Sequence, residues 1–343
     1  MTSNSFTLQE IISQPDVWQT ALSRLSTWQA DLSSLFEQEQ PDEVIFSGCG
    51  SSYYLAMVAA AVFTHLTGKL GRALPASELW LSPETSLAVG HRSLLVAISR
   101  SGTTTETVRA SQAFLESRRG ALLTMTCQPQ IGLAGLGSFN LSFPASDERS
   151  LVQTRSFSTF CLAALFLAAT FSRQAALLEQ LQRLPQIAQS YLEAFQESIA
   201  GLAGDNSLDR FYFLGSGERY GLAAELSLKM KEMSLSHSEP FHFLEFRHGP
   251  MSMVGSSTLI VGLLSEVNRS QEQAVLDEMK LRGARVLSIG EAGVDLPFTS
   301  RVTEAARGPL YLLPGQLLAF WRASARGLDA DRPHGLTKAV HLP

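Results

Sequence analysis

Leu94-Leu95-Val96-Ala97-Ile98-Ser99-Arg100-Ser101-Gly102-Thr103-Thr104-Thr105-Glu106-Thr107 sets three signals in a row. The apolar run Leu94 to Ile98 reads as a buried strand, and Thr105 to Ser117 reads as a helix. Between them lies a turn rich in hydroxyls and glycine. A strand that runs into such a turn at a helix start presents a concave set of backbone N–H donors. The Ser and Thr hydroxyls add more donors, and the positive end of the helix dipole points the same way. The result is a receptacle for a phosphate or another small oxyanion. The same residues also suit a plain helix cap with a polar loop, so the rest of the chain has to decide.

At 343 residues two domains are expected. The net charge is −5 and no Lys/Arg-rich run is present, so neither a nucleic acid nor an anionic membrane is an expected partner. Met1 to Phe6 is polar and carries no signal-peptide pattern. The longest apolar stretch, Phe160 to Phe171, is too short to span a bilayer and reads as a buried helix. Cys49, Cys127 and Cys161 are odd in number and widely spaced, which fits neither a disulfide framework nor a zinc cluster. The reducing cytoplasm is the expected setting.

Self-comparison shows a chain written twice. Val44 to Ala56 reads as strand, Gly-x-Gly turn and helix start around Gly48-Cys49-Gly50, and Phe211 to Ala223 reads the same way around Gly215-Ser216-Gly217. The strand Leu94 to Ile98 is echoed by Leu259 to Leu263, and Leu122 to Met125 by Val286 to Ile289, in the same order and at nearly the same offset. Each half is therefore strand, helix, strand, helix, strand. The expected fold is α/β, with two tandem doubly wound parallel sheets buried on both faces. Ligands in such sheets bind beyond the C-terminal strand ends, where these turns lie. Thr7 to Gln38 reads as leading helices and Leu177 to Ala203 as a long helical connector. The boundary falls near residue 185, giving domains 1–185 and 186–343. Neither Gly-x-Gly has a third glycine at dinucleotide spacing, so no nucleotide cofactor is expected.

The copies diverge after their second strands. The first has the Ser/Thr/Gly loop, whereas the second has Leu264-Ser265-Glu266-Val267-Asn268, whose acid repels phosphate. The second half offers other groups. Leu222 to Met233 reads as a helix with Leu222, Leu226, Met230 and Met233 on one face and Glu225, Lys229 and Glu232 along another stripe. That stripe is also what an ordinary exposed Glu–Lys pair looks like. Downstream, His237, Glu239, His242, Glu245 and His248 crowd a segment of loop character ending in His248-Gly249-Pro250. Metal binding is the obvious rival for such a cluster, but its spacing matches no familiar zinc helix, and no metal is expected. The irregular tail from Asp329 ends near Lys338.

These motifs resemble the double sugar-isomerase (SIS) domain family, and the chain is similar to the isomerase half of its glutamine–fructose-6-phosphate aminotransferase members. The likeness rests on S-x-S-G-x-T at Ser99 to Thr104 and C-G-x-S at Cys49 to Ser52. It also rests on the block from Glu225 through Lys229 and Glu232 to His248-Gly249-Pro250, and on P-x-x-L-x-K ending at Lys338. It implies flavodoxin-like sheets. It implies that Ser52, Ser99, Ser101 and Thr104, with the backbone of Gly102, grip a sugar 6-phosphate. Glu232 would be the base moving a proton between C1 and C2 through an enediol or enolamine. His248, shared with the neighbouring subunit of a homodimer, would assist ring opening. Lys338 would sit over the open-chain sugar, and Lys229 and Glu225 would flank it and set the field around Glu232. Cys49, Gly50 and Ser51, with Leu151 and Gln153, would line the pocket.

The chemistry suits these residue types. Proton abstraction next to a carbonyl needs a carboxylate tuned toward neutrality, a role worth about 10²–10⁴ in rate. A nearby cation stabilises the developing negative charge. The remote phosphate supplies binding energy that holds the sugar in register. Three departures from the aminotransferase pattern stand out. Arg100 replaces the loop glutamine and is expected to tighten the hold on phosphate. Leu151-Val152-Gln153-Thr154-Arg155 replaces a smaller pocket segment. The glutaminase domain has no counterpart, so glutamine-dependent amide transfer is not expected of this chain. The resulting expectation is an isomerase or deaminase of an amino- or ketose-6-phosphate without a cofactor. The alternatives are a non-catalytic sugar-phosphate-binding regulator and a fructosamine-6-phosphate deglycase, the latter decided by Leu151 to Arg155 and Phe241 to Phe246.

Overall fold

A computed structural model of the chain describes residues 5–342. Met1–Asn4 and Pro343 lie outside the described residues, and with them most of the polar start on which the reading of no signal peptide rests. The described chain forms two compact units. The first comprises Asp16–Glu148, Arg155–Gln182 and the tail from Thr337. The second comprises the residues up to Pro15, Arg149–Thr154 and Arg183–Leu336.

The first unit is built on strands β1 (Glu43–Gly48), β2 (Leu70–Pro75), β3 (Ser93–Ile98), β4 (Leu122–Thr126) and β5 (Phe139–Ser142). They form a parallel sheet in the order β2-β1-β3-β4-β5. Its helices are α2 (Gln14–Glu39, which begins at the unit boundary), α3 (Ser51–Thr67), α4 (Ala76–Leu81), α5 (Pro83–Ser86), α6 (Thr105–Glu116), α7 (Arg155–Phe171) and α8 (Ala175–Leu181). Strands β1, β3 and β4 are buried along their whole length, as sheets covered on both faces require. Burying each Leu, Ile or Val in them contributes about 1.5–3 kcal/mol. The apolar run expected to be a buried helix is the body of α7, buried from Ser156 to Thr170. No described helix is long and apolar enough to cross a membrane.

The second unit repeats the plan. Its strands β6 (Arg210–Leu214), β7 (His237–Phe241), β8 (Thr258–Leu263), β9 (Arg285–Gly290) and β10 (Leu296–Pro297) are parallel, in the order β10-β9-β8-β6-β7. Read from the other edge, this is the order of the first sheet. Its helices are α1 (Phe6–Ile12), α9 (Leu184–Ala203), α10 (Arg219–Ser234), α11 (Arg269–Leu281) and α12 (Leu312–Ala325). The amino-terminal segment is tied into this unit by Asp331. Its carboxylate accepts the Phe6 and Thr7 N–H groups at 2.9 and 2.8 Å and the Ser5 hydroxyl at 2.6 Å.

The repeat extends to the backbone. Gly50 and Gly217, at equivalent turns, have φ of +56° and +59°, a region that favours glycine. At Gly48 a Cβ would stand 2.6 Å from the Ser52 Cβ and 2.8 Å from the Ile98 carbonyl oxygen. At its counterpart Gly215 a Cβ would stand 2.3 Å from the Arg219 carbonyl oxygen. In both units the helix after the first strand rides directly on the strand end.

The structure adds two strands to each expected set of three. All four additions, β2, β5, β7 and β10, are at or next to sheet edges, where one-sided exposure removes the apolar run that marks a central strand. The segment read as a loop from His237 begins as edge strand β7, which puts His237 and Glu239 on a strand and tolerates Pro240. The long connector is broken into α8 and α9 because Pro185 starts the second helix and cannot continue the first.

Gly48→Ala is expected to lower stability by about 1–3 kcal/mol through overpacking. Gly201→Ala, in α9 with open space around its Cβ, is expected to be neutral or stabilising by about 0.5–1 kcal/mol. Urea denaturation followed by circular dichroism compares the two.

Candidate active site

The order of the first sheet makes β1 and β3 neighbours, and from each of them the chain turns into a helix. Ligands of such sheets sit at this point of reversed order. Beyond β3, Ser99 Oγ accepts the Gly102 N–H at 3.1 Å and lies 3.3 Å from Thr104 Oγ1. Ser101 Oγ accepts both the Thr103 N–H and its hydroxyl at 3.2 Å. Gly102 has φ of +68°, and a Cβ there would approach the Ile131 carbonyl oxygen to 3.0 Å. The loop is thus folded on its own hydroxyls at the start of α6. Beyond β1, Cys49, Gly50, Ser51 and Ser52 form the turn into α3, with Ser51 and Ser52 buried. Cys49 Sγ lies 3.7 Å from Thr107 Oγ1 in the first turn of α6, which joins the two turns. Burial pushes the Cys49 thiol up from its ordinary pKa, so it is no ready nucleophile.

Arg100 is committed elsewhere. Its buried guanidinium pairs with Glu148 at 3.0 Å and donates to the Lys338 carbonyl at 3.1 Å. Lys338 Nζ in turn donates to the Glu148 carbonyl at 2.5 Å and lies 3.1 Å from an Asp147 carboxylate oxygen. The structure therefore brings Lys338 to the loop at 99–104 within one unit, and shows Asp147 and Glu148 as partners that sequence reasoning missed. These links span from 48 to 238 positions along the chain, and no local pattern marks them.

In the second unit, α10 carries Glu225, Lys229 and Glu232. Lys229 Nζ lies 3.3 Å from Glu225 and is hydrogen-bonded to Glu232. The side chains of Glu225 and Lys229 are 0 and 1% exposed, and that of Glu232 is 18% exposed. An ordinary solvated pair is excluded, since Glu225 and Lys229 are buried along with the apolar face of this helix. Burial alone disfavours the ammonium, but the two carboxylates outweigh it and hold Lys229 above the usual lysine range. The array is a fixed cation flanked by two acids, of which Glu232 meets solvent most.

His248 is exposed at the end of a short 3₁₀ turn, Glu245–Arg247. His242 stacks on Tyr220 with ring centroids 3.9 Å apart. Burial lowers its pKa against the opposing charge of Glu245. Among the described residues no three His, Cys, Asp or Glu side chains converge as a metal site. Leu151 and Gln153 are half-buried in the second unit, where the Leu151 N–H donates to the Asp331 carbonyl at 3.0 Å.

The second unit's loop at Leu264 to Asn268 is tied to protein carboxylates. Its Ser265 N–H donates to Glu272 at 2.6 Å and its Glu266 N–H to Glu304 at 3.0 Å. Glu266 itself pairs with Arg307 at 2.9 Å, and Glu304 with Arg219 at 2.7 Å.

The chain belongs to the SIS domain family, which it matches over residues 39–172 and 206–295. It is 31% identical to a solved glucosamine-6-phosphate deaminase from Thermotoga maritima, with a TM-score of 0.86 over 98% of this chain and 100% of that one. The fold is shared with a tagatose-6-phosphate ketose/aldose isomerase from Escherichia coli, at 24% identity and a TM-score of 0.89 over 98 and 97% of the two chains. It is 27% identical to the glutamine–fructose-6-phosphate aminotransferase (isomerizing) of Methanothermobacter thermautotrophicus over 98% of this chain, and spans 57% of that protein's length. The homology to that aminotransferase therefore concerns its SIS portion.

Lys229→Met is expected to destabilise the chain by about 3–5 kcal/mol, because it strands the buried Glu225 carboxylate. The double variant Glu225→Gln, Lys229→Met is expected to recover most of that loss in the same urea titration. A raised folded-state pKa makes the pair's contribution complete below the ordinary lysine pKa of about 10.4, with loss only as pH climbs beyond it. Melting temperatures across alkaline pH check the sign.

Proposed function

We propose that the chain is an isomerase or deaminase of an amino- or ketose-6-phosphate that moves a proton between C1 and C2. The observation that carries this reading is the buried Glu225–Lys229–Glu232 array, in which one acid keeps contact with solvent. A folding core gains little from two acids around one lysine, since apolar residues of like volume do as well or better. The array suits a positioned base beside a fixed cation. The names of the SIS relatives, a glucosamine-6-phosphate deaminase and a tagatose-6-phosphate isomerase, support the substrate class.

The phosphate handle is assigned to Ser52, Ser99, Ser101, Thr104 and the backbone of Gly102. Glu232 is assigned the transferred proton. The Lys229 cation favours negative charge developing on the sugar oxygens, as a cation near an enediolate does. Lys338 is assigned to the open-chain sugar and His248 to ring opening. Sharing of His248 across a homodimer belongs to the same reading, and an active monomer by light scattering overturns it. Amine release fits the reaction named for one SIS relative, a glucosamine-6-phosphate deaminase. The cytoplasm is the setting we propose.

The test is a panel of hexose and hexosamine 6-phosphates assayed for ammonia release and isomer formation. Glu232→Gln is expected to lower turnover at least 100-fold, in line with the contribution of a positioned base, with the fold retained by circular dichroism. A variant within tenfold of the parent refutes the assignment. Deuterium entering C2 of a bound ketose phosphate in heavy water separates this enzyme from a sugar-phosphate binder, which exchanges none.

A further inference from the structure

The carboxy-terminal strap, residues 337–342, is held against the oxyanion loop at several points, all within the first unit. Arg100 Nη2 donates to the Lys338 carbonyl at 3.1 Å, and Lys338 Nζ donates to the Glu148 carbonyl at 2.5 Å. The Thr105 N–H, at the first turn of α6, donates to the Val340 carbonyl at 3.3 Å. The Leu342 N–H donates to Thr105 Oγ1 at 3.0 Å. Glu148, the partner of Arg100, is itself fixed by the Ser156 N–H at 2.9 Å and hydroxyl at 2.7 Å, at the start of α7. The Arg100 backbone is pinned as well, its carbonyl accepting the Cys127 N–H at 3.1 Å.

Arg100 therefore stands between two serines assigned to the anion, with its guanidinium occupied by a buried carboxylate and a strap carbonyl. A planar fork of donors can bridge two such acceptors at a fixed angle. We infer that Arg100 is a positioning residue that seats the strap, rather than a phosphate ligand. The loop that grips the anion thereby also sets where the Lys338 amine stands. Only the catalytic consequence rests on the role proposed above for Lys338. The seating does not.

The test uses the full chain and two variants, Arg100→Gln and Arg100→Lys. Amide hydrogen exchange read by mass spectrometry is expected to rise at least tenfold in peptides covering residues 337–342 and to stay unchanged in the central strands. Affinity for inorganic phosphate, measured by calorimetry, is expected to stay within threefold of the parent. Arg100→Lys keeps a cation against Glu148 but lacks the fork, so it is expected to loosen the strap while melting within a few degrees of the parent. It decides the matter if the glutamine variant fails to fold. Strap exchange unchanged in a folded variant overturns the inference, and so does a tenfold loss of phosphate affinity. On whichever sugar phosphate the parent turns over, kcat is expected to fall at least tenfold with KM within threefold. A parent that binds no phosphate and turns over no panel member refutes the proposed function, while strap exchange still decides the seating.

Discussion

The first unit depends on one steric constraint, the close seat of α3 on the ends of β1 and β3. Gly48 has room for no side chain between the Ser52 Cβ and the Ile98 carbonyl oxygen. That contact sets the turn through Cys49 and Gly50 beside the turn through Ser99 and Gly102. Two helix starts then share one corner of the sheet. Parallel strands in this order leave a crevice at the reversal, and what lines it is decided by the two turns alone. The loop after β3 is thus a product of packing, and its chemistry is a matter of which small polar residues fill a shape already made.

The second unit has the same frame and uses it differently. Gly215 and Gly217 repeat the tight turn, yet Glu272 and Glu304 accept the Ser265 and Glu266 N–H groups of the loop after β8. An internal carboxylate satisfies such donors permanently. The same unit carries Glu225 and Lys229 of α10 in its interior. The cost of burying Lys229 is offset by two acids within reach, so the array is stable only as a set. Such interdependence is unhelpful for a scaffold and useful for a reacting centre.

Much of this is legible in the sequence itself. Apolar runs located β1, β3, β4, β6, β8 and β9 because strands covered on both faces must be apolar throughout. The glycines gave away the repeat. Edge strands escaped, since β2 and β7 mix polar residues, glycine and proline with no run to see. The stripe on α10 was visible as spacing, but spacing is silent on burial, and burial turned an ordinary ion pair into a constrained one. A cation in a loop rich in hydroxyls and glycine invites the reading of Arg100 as an anion ligand. The partners its guanidinium takes, Glu148 and Lys338, lie far off in the chain, and contacts of that separation leave no periodic trace.

The strap also bears on how the protein is made. The sheet of the first unit is finished by residue 142 and its last helix by residue 181, yet the piece that closes over its loop begins at Thr337. A ribosome adding about 5–20 residues each second needs roughly ten to thirty seconds to cover the intervening stretch. Throughout that interval the sheet and helices of the first unit are on hand without the strap. The seat of the strap is therefore synthesised well before the strap that fills it.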